Sequence, residues 1–153
     1  MIKHSFQQGH DGSCGPAALK IALDHLGIEK SEKELVKLVR FSKIGVELED
    51  LLRVAKKFRV KGFVKENVDI KDIRKYLKKK GHSIIVGWFF KDDGHYSVVS
   101  HLDKENIYLQ DPDLGHIRAM RIELFKRIWF DFPGYFMKDK NDLQLRKMLI
   151  LYK

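Results

Sequence analysis

Apolar and polar positions change their spacing along this chain, and the spacing divides it into a helical first half and a strand-rich second half. Leu19, Ala22, Leu23 and Leu26 recur at three- and four-residue intervals, which gives a helix one buried stripe. Pro16 suits its first turn and Gly27 the residue that closes it, so a helix is predicted over 15–26. Ser31-x-x-Glu34 reads as a capping box that opens a short second helix, with Leu35, Leu38 and Val39 on its buried face. Leu48, Leu51, Leu52, Ala55 and Phe58 predict a third helix over 47–58.

The period then falls to two at Val60, Gly62 and Val64, which predicts a short strand before a helix at about 70–80. From Ser83 the run Ile84-Ile85-Val86-Gly87-Trp88-Phe89 reads as a buried strand ending in the turn Lys91-Asp92-Asp93-Gly94. Tyr96-Ser97-Val98-Val99 and Ile107-Tyr108-Leu109 follow, joined through Asp103 to Asn106, so an antiparallel meander is predicted. A helical segment near 122–129 and a last strand at Met148 to Tyr152 complete the pattern. Helices first and strands afterwards predict an α+β fold, with N-terminal helices packed on a C-terminal antiparallel sheet.

Composition narrows the class. The 153 residues, 44% apolar and 33% charged with no linker or repeat, suit one folded domain over 1–153. No apolar run approaches the roughly 18 residues of a membrane span, and Met1 to Ser5 lacks an export signal. A soluble, cytoplasmic protein is therefore expected. Cys14 is the only cysteine, so neither an internal disulfide nor a cysteine-rich zinc site is available. The net charge of +9 raises the reading of a nucleic-acid-binding domain. That charge is diffuse, however, and no recognition helix or aromatic-basic strand motif accompanies it. Its densest run, Lys78-Lys79-Lys80, ends a predicted helix, where cations complement the dipole and face water.

The candidate chemistry begins at Cys14. A thiol is nucleophilic as thiolate, a form favoured at a helix N-terminus or beside an imidazolium, and Gly15-Pro16 places Cys14 at such a start. Seven histidines compete as its base: His4, His10, His25, His82, His95, His101 and His116. His95 follows Gly94 and opens a strand, a rigid mount for an imidazole. His101 shares its parity and ranks second. Asp111 closes the next strand before Pro112 and, with the hairpin turning through 103–106, falls opposite Ser97 or Val98. A slip of one residue would turn it to the wrong face. An oxyanion also needs donors. Gln8 can fold beside the Cys14 N–H, and Gln7, one residue further away, is the poorer candidate.

Gln8-x5-Cys14-Gly15-Pro16-Ala17-Ala18-Leu19, then Gly94-His95-Tyr96-Ser97-Val98-Val99, then Leu109-Gln110-Asp111-Pro112 with Gly115, resemble in order the bacteriocin-processing cysteine peptidases that cleave double-glycine leaders. The match spans about Gln8 to Trp129 and leaves the tail from Pro133 to Lys153 without a role. The resemblance implies a papain-like fold, Cys14 as nucleophile, His95 as general base and acid, Asp111 as the group orienting His95, and Gln8 as oxyanion donor. It implies a peptide or protein substrate, a separate exporter as candidate partner, and no cofactor or metal. Ser13 stands where the family often has Asp, and Ala18 where many exporter-linked members carry a further cysteine. No transporter segment follows, so a stand-alone member is expected. An acyltransferase using the same residues and a catalytically silent peptide-binding module remain the alternatives.

Overall fold

The computed structural model describes residues 4–9, 13–41, 45–91 and 93–153. Helices α1 (Cys14–His25), α2 (Glu32–Leu38) and α3 (Leu48–Lys56) precede β1 (Lys61–Lys65) and α4 (Ile70–Leu77). The meander β2 (His82–Phe90), β3 (Asp93–Leu102), β4 (Asn106–Asp111) and β5 (His116–Arg121) follows, then α5 (Ile122–Ile128). β6 (Phe130–Asp131), β7 (Gln144–Leu145) and β8 (Met148–Tyr152) complete the order. The fold is α+β, as the patterning predicts. No helix among the described residues is long and apolar enough to cross a membrane.

Six antiparallel strands form the main sheet in the order β1-β8-β2-β3-β4-β5. The C-terminal tail therefore supplies an interior strand rather than an edge. Its run Met148-Leu149-Ile150-Leu151 is apolar at every position because both faces of the sheet are covered. Leu149 and Leu151 face α1, α2 and α3 together with Ile85, Tyr96 and Val98. Met148 and Ile150 face α4 and α5 together with Trp88, Val99 and Leu109. Strand β5 and the short β6–β7 pair have no counterpart in the sequence reading, because they are short and none of their residues is buried.

α1 is buried almost all round, including Ala17, Ala18 and Ile21 outside the predicted stripe. It lies between the sheet and the other N-terminal helices, a position that requires apolar side chains on every face. Each fully buried leucine, such as Leu19 or Leu23, contributes roughly 1.5 to 3 kcal/mol of burial. Lys20 and Asp24 on the remaining strip pair at 3.2 Å. The Ser31 and Glu34 capping box of α2 is present with both reciprocal bonds.

A β-bulge decides the geometry of the meander. Leu102 pairs with Ile107 and His101 with Tyr108, but Val99 pairs with Leu109 and Val98 with Gln110. Ser100 is thus the extra residue. Carried one step further, this register sets Asp111 across from Ser97, on the face that also carries His95 and Trp88. Were β3 paired straight through without the bulge, Ser100 would face Leu109 and Asp111 would stand across from Val98, leaving His95 and Asp111 on opposite faces of the sheet.

Candidate active site

Cys14 is the first residue of α1, half-buried at the helix N-terminus. The chain leading to it is held from two sides. The Gln8 N–H donates to the Pro112 carbonyl at 2.7 Å, which ties this segment to the turn following Asp111. The Glu32 carboxylate, at the start of α2, accepts the Gly9 N–H at 3.1 Å and the Ser13 hydroxyl at 3.4 Å. Gly15 faces Val46 and Tyr96, which a Cβ there would meet at 3.4 and 3.5 Å, and the Tyr96 hydroxyl donates to the Val46 carbonyl at 2.7 Å. Gly87 makes room for that ring, since a Cβ there would lie 2.9 Å from Tyr96 Cε1.

His95 is buried near the start of β3 and connects Cys14 to Asp111. Its Nε2 meets Asp111 Oδ1 at 2.5 Å, and Cys14 lies close enough on its other side to favour the cationic ring. With Nε2 on the carboxylate, Nδ1 is the nitrogen left for sulfur. Burial pulls the imidazole pKa down, but the hydrogen bonds and charges of Asp111 and Cys14 outweigh it and raise the value to about 9. The Trp88 ring stands edge-on to His95 at 5.2 Å, with its indole N–H on the Ser97 hydroxyl. That bond fixes the wall behind the imidazole.

Asp111 is fully enclosed and fully bonded. Oδ1 also accepts the Asp113 N–H at 2.9 Å, and Oδ2 accepts from Arg118 Nε at 2.6 Å. Burial pushes this carboxyl up, yet His95, Arg118 and the Asp113 N–H together hold it below its ordinary range. Arg118 pairs with Leu109 across β4–β5 and so shares the Asp111 face. Its guanidinium lies over the Phe90 ring, 4.4 Å from the centroid. The sequence reading missed this residue because β5 itself was not recognised.

A groove of about 660 Å³ opens beside these groups and is lined by Gln8, Cys14, His95, Val46 and Tyr135 among others. Gln8 therefore stands with Cys14. Gln7 is turned toward the 113–115 turn, with its side-chain amide on the Asp113 carbonyl at 3.4 Å. Glu47, Asp93 and Asp131 give the groove an acidic wall. The Asp131 carboxyl abuts Gly94, where any Cβ would collide with it. Burial above all, then Glu47 and Asp93, raise the Asp131 pKa to about 6 against the pull of the Phe132 N–H. Lys147, itself buried, lies against Glu47, Glu49 and Glu66 and braces this wall from behind.

The remaining histidines are placed elsewhere. His101 is exposed at the far end of β3, with its ring 5.5 Å from Tyr108. His25 closes α1, His4 packs against it, His82 stacks on Tyr152, and His116 is exposed on β5. His10 lies outside the described residues. Among the described residues no three His, Cys, Asp or Glu side chains are grouped to hold a metal ion.

A cysteine at a helix start, sharing a groove with a strand histidine that pairs with a buried aspartate on an α+β fold, defines the papain-like class. The sequence model of the Peptidase C39 family matches residues 3–139. An uncharacterized protein of Methanothermobacter thermautotrophicus is 35% identical over 124 residues, covering 80% of each chain. The chain belongs to the peptidase C39 family. Its fold is similar to the peptidase domain of Streptococcus ComA, a bi-functional ABC transporter involved in quorum sensing. That match has a TM-score of 0.75 at 21% identity and covers 97% of this chain and 96% of that one. It is also similar to a double glycine motif protease from an AMS/PCAT transporter, solved with its leader peptide. There the TM-score is 0.72 at 17% identity, over 97% of this chain and 90% of that one.

Proposed function

We propose that this protein is a cysteine peptidase that cleaves a peptide bond after a small-residue, Gly-Gly-like leader, with Cys14 as nucleophile. The observation that carries the reading is His95, paired with the buried Asp111, lining the same open groove as Cys14. In this reading His95 takes the thiol proton, and the thiolate attacks the scissile carbonyl. The oxyanion is met by the Cys14 N–H and the Gln8 side-chain amide. As the tetrahedral intermediate collapses, His95 passes its proton to the leaving amine and a thioester remains on Cys14. A water molecule, deprotonated by His95, then attacks the thioester, and the released sulfur recovers its proton from the imidazolium. Asp111 holds the ring in one orientation and stabilises its cationic form throughout.

Transfer of the same thioester to an amine is the alternative outcome. The family's likeness to exporter-borne domains supports a substrate delivered to a separate exporter, with the protein acting as one domain in the cytoplasm.

Incubation with a double-glycine leader peptide, followed by mass spectrometry of products and protein, tests the proposal. We expect cleavage after the small residues, a trappable acyl adduct on Cys14, and loss of both in His95→Ala. Transfer to added hydroxylamine far in excess of hydrolysis would instead indicate an acyltransferase. A folded protein whose Cys14 reacts no faster than a free thiol, and which cleaves nothing, would overturn the reading.

A further inference from the structure

The end of the molecule opposite the groove holds a second concavity. α1, β2 and β3 bring Cys14, Phe90 and His95 to the groove, and the same three elements carry His25, His82 and His101 toward their other ends. There they surround a cavity of about 350 Å³, together with Arg74 of α4 and the run Lys78, Lys79 and Lys80. Four cations and three imidazoles converge, and the lining holds no Asp or Glu. The three lysines are exposed beyond the end of α4, where the helix C-terminus explains the presence of cations. Arg74 and His25 lie in the last turns of α4 and α1, where the same reasoning applies, but it does not explain His82 and His101, which arrive from β2 and β3.

Several of these groups are held in place. One arm of Arg74 donates to the Asp103 carbonyl at 3.2 Å, which orients the guanidinium. His82 is stacked between Tyr76 and Tyr152, and its Nδ1 contacts the Lys80 carbonyl at 3.2 Å. Lys79 lies over the Tyr76 ring. Two oriented donors, Arg74 and His82, flanked by exposed lysines around a concavity of this size match a small anion with several oxygens, whereas a duplex needs an extended basic stripe.

We propose that this cavity is a binding site for a small phosphate-bearing molecule, with Arg74, Lys78, Lys80, His82 and His101 as its donors. The site is independent of the chemistry at Cys14. The experiment is calorimetric titration of the full chain with sodium pyrophosphate at pH 7 and fixed ionic strength, alongside sodium sulfate. Saturable one-to-one binding of pyrophosphate is expected, at least tenfold tighter than sulfate. The double variant Lys78→Ala/Lys80→Ala, at exposed positions, should weaken it tenfold or more. The charge-matched control Lys61→Ala/Lys65→Ala, also exposed but on β1, should leave it within twofold. Equal loss in both variants would show diffuse attraction by the net charge and overturn the proposal. So would the absence of saturable pyrophosphate binding, including the case where phosphatidylglycerol vesicles or duplex DNA bind in its place.

Discussion

Replacing Asp111 by asparagine removes one negative charge from beside His95 while preserving the volume of the side chain. The imidazole pKa stands at about 9 rather than 6.5, a preference for the cation of roughly 3 kcal/mol at about 1.36 kcal/mol per pH unit. Asp111 and Cys14 share that effect and together overcome the burial that opposes it. In Asp111→Asn the ring should titrate roughly 1 to 2 pH units lower, because burial then faces Cys14 alone.

The stability profile should change with it. A His pKa raised by folding contributes stability that is fully present below pH 6.5 and lost as pH rises through about 9. Asp111, held low, contributes above its ordinary range and loses that contribution as pH falls through its folded value. The wild type should therefore lose thermal stability between pH 6.5 and 9, and the variant should lose less over that window. NMR titration of the His95 ring C–H resonances reads the shift directly. Alkylation of Cys14 by iodoacetamide at pH 7 should slow about tenfold or more, since the imidazolium that stabilises a thiolate is less populated. A His95 ring still titrating near pH 9 in the variant would refute the reasoning.

Asp131→Asn probes the acidic wall. Its carboxyl titrates at about 6 in the fold rather than at 3.8. The protonated form therefore stabilises the fold at low pH, and that stability is lost as pH climbs from about 4 to 6. Melting curves should show the variant more stable than wild type at pH 7.5, by up to roughly 3 kcal/mol, and little different at pH 4; equal effects at both pH values would contradict this. Glu32→Ala removes the acceptor for the Gly9 N–H and the Ser13 hydroxyl, which should cost about 1 to 2 kcal/mol and slow Cys14 alkylation in the still-folded protein. Unchanged alkylation would show that this carboxylate does not position the approach to Cys14.

Much of this architecture is written locally. α1 through α4 and β1 through β4 follow from three-to-four and two-residue spacing, from Pro16 and Gly27, and from the Ser31-x-x-Glu34 box. Such signals act between neighbours in the chain, so they survive without knowledge of the fold. The placement of Cys14 at a helix start, and of His95 near the start of a strand, is legible for the same reason. β5 was not legible, because none of its residues is buried and its few apolar positions mark no core-facing stripe. With β5 went Arg118, whose value lies wholly in what it touches.

What the sequence determined by itself is the set of candidate site residues and the elements that carry them, since residue type and local period are properties of short stretches. The tertiary structure decided which of those residues meet. Asp111 faces His95 because Ser100 bulges from β3; strands paired straight through would leave the imidazole and the carboxylate on opposite faces. Gln8 rather than Gln7 lines the groove, because the Gln8 N–H is anchored to Pro112, more than a hundred residues away in the chain. The tail became the interior strand β8 because only there can a run apolar at every position be covered on both sides. Pairing register and sheet order depend on contacts between distant segments, and no local pattern encodes them.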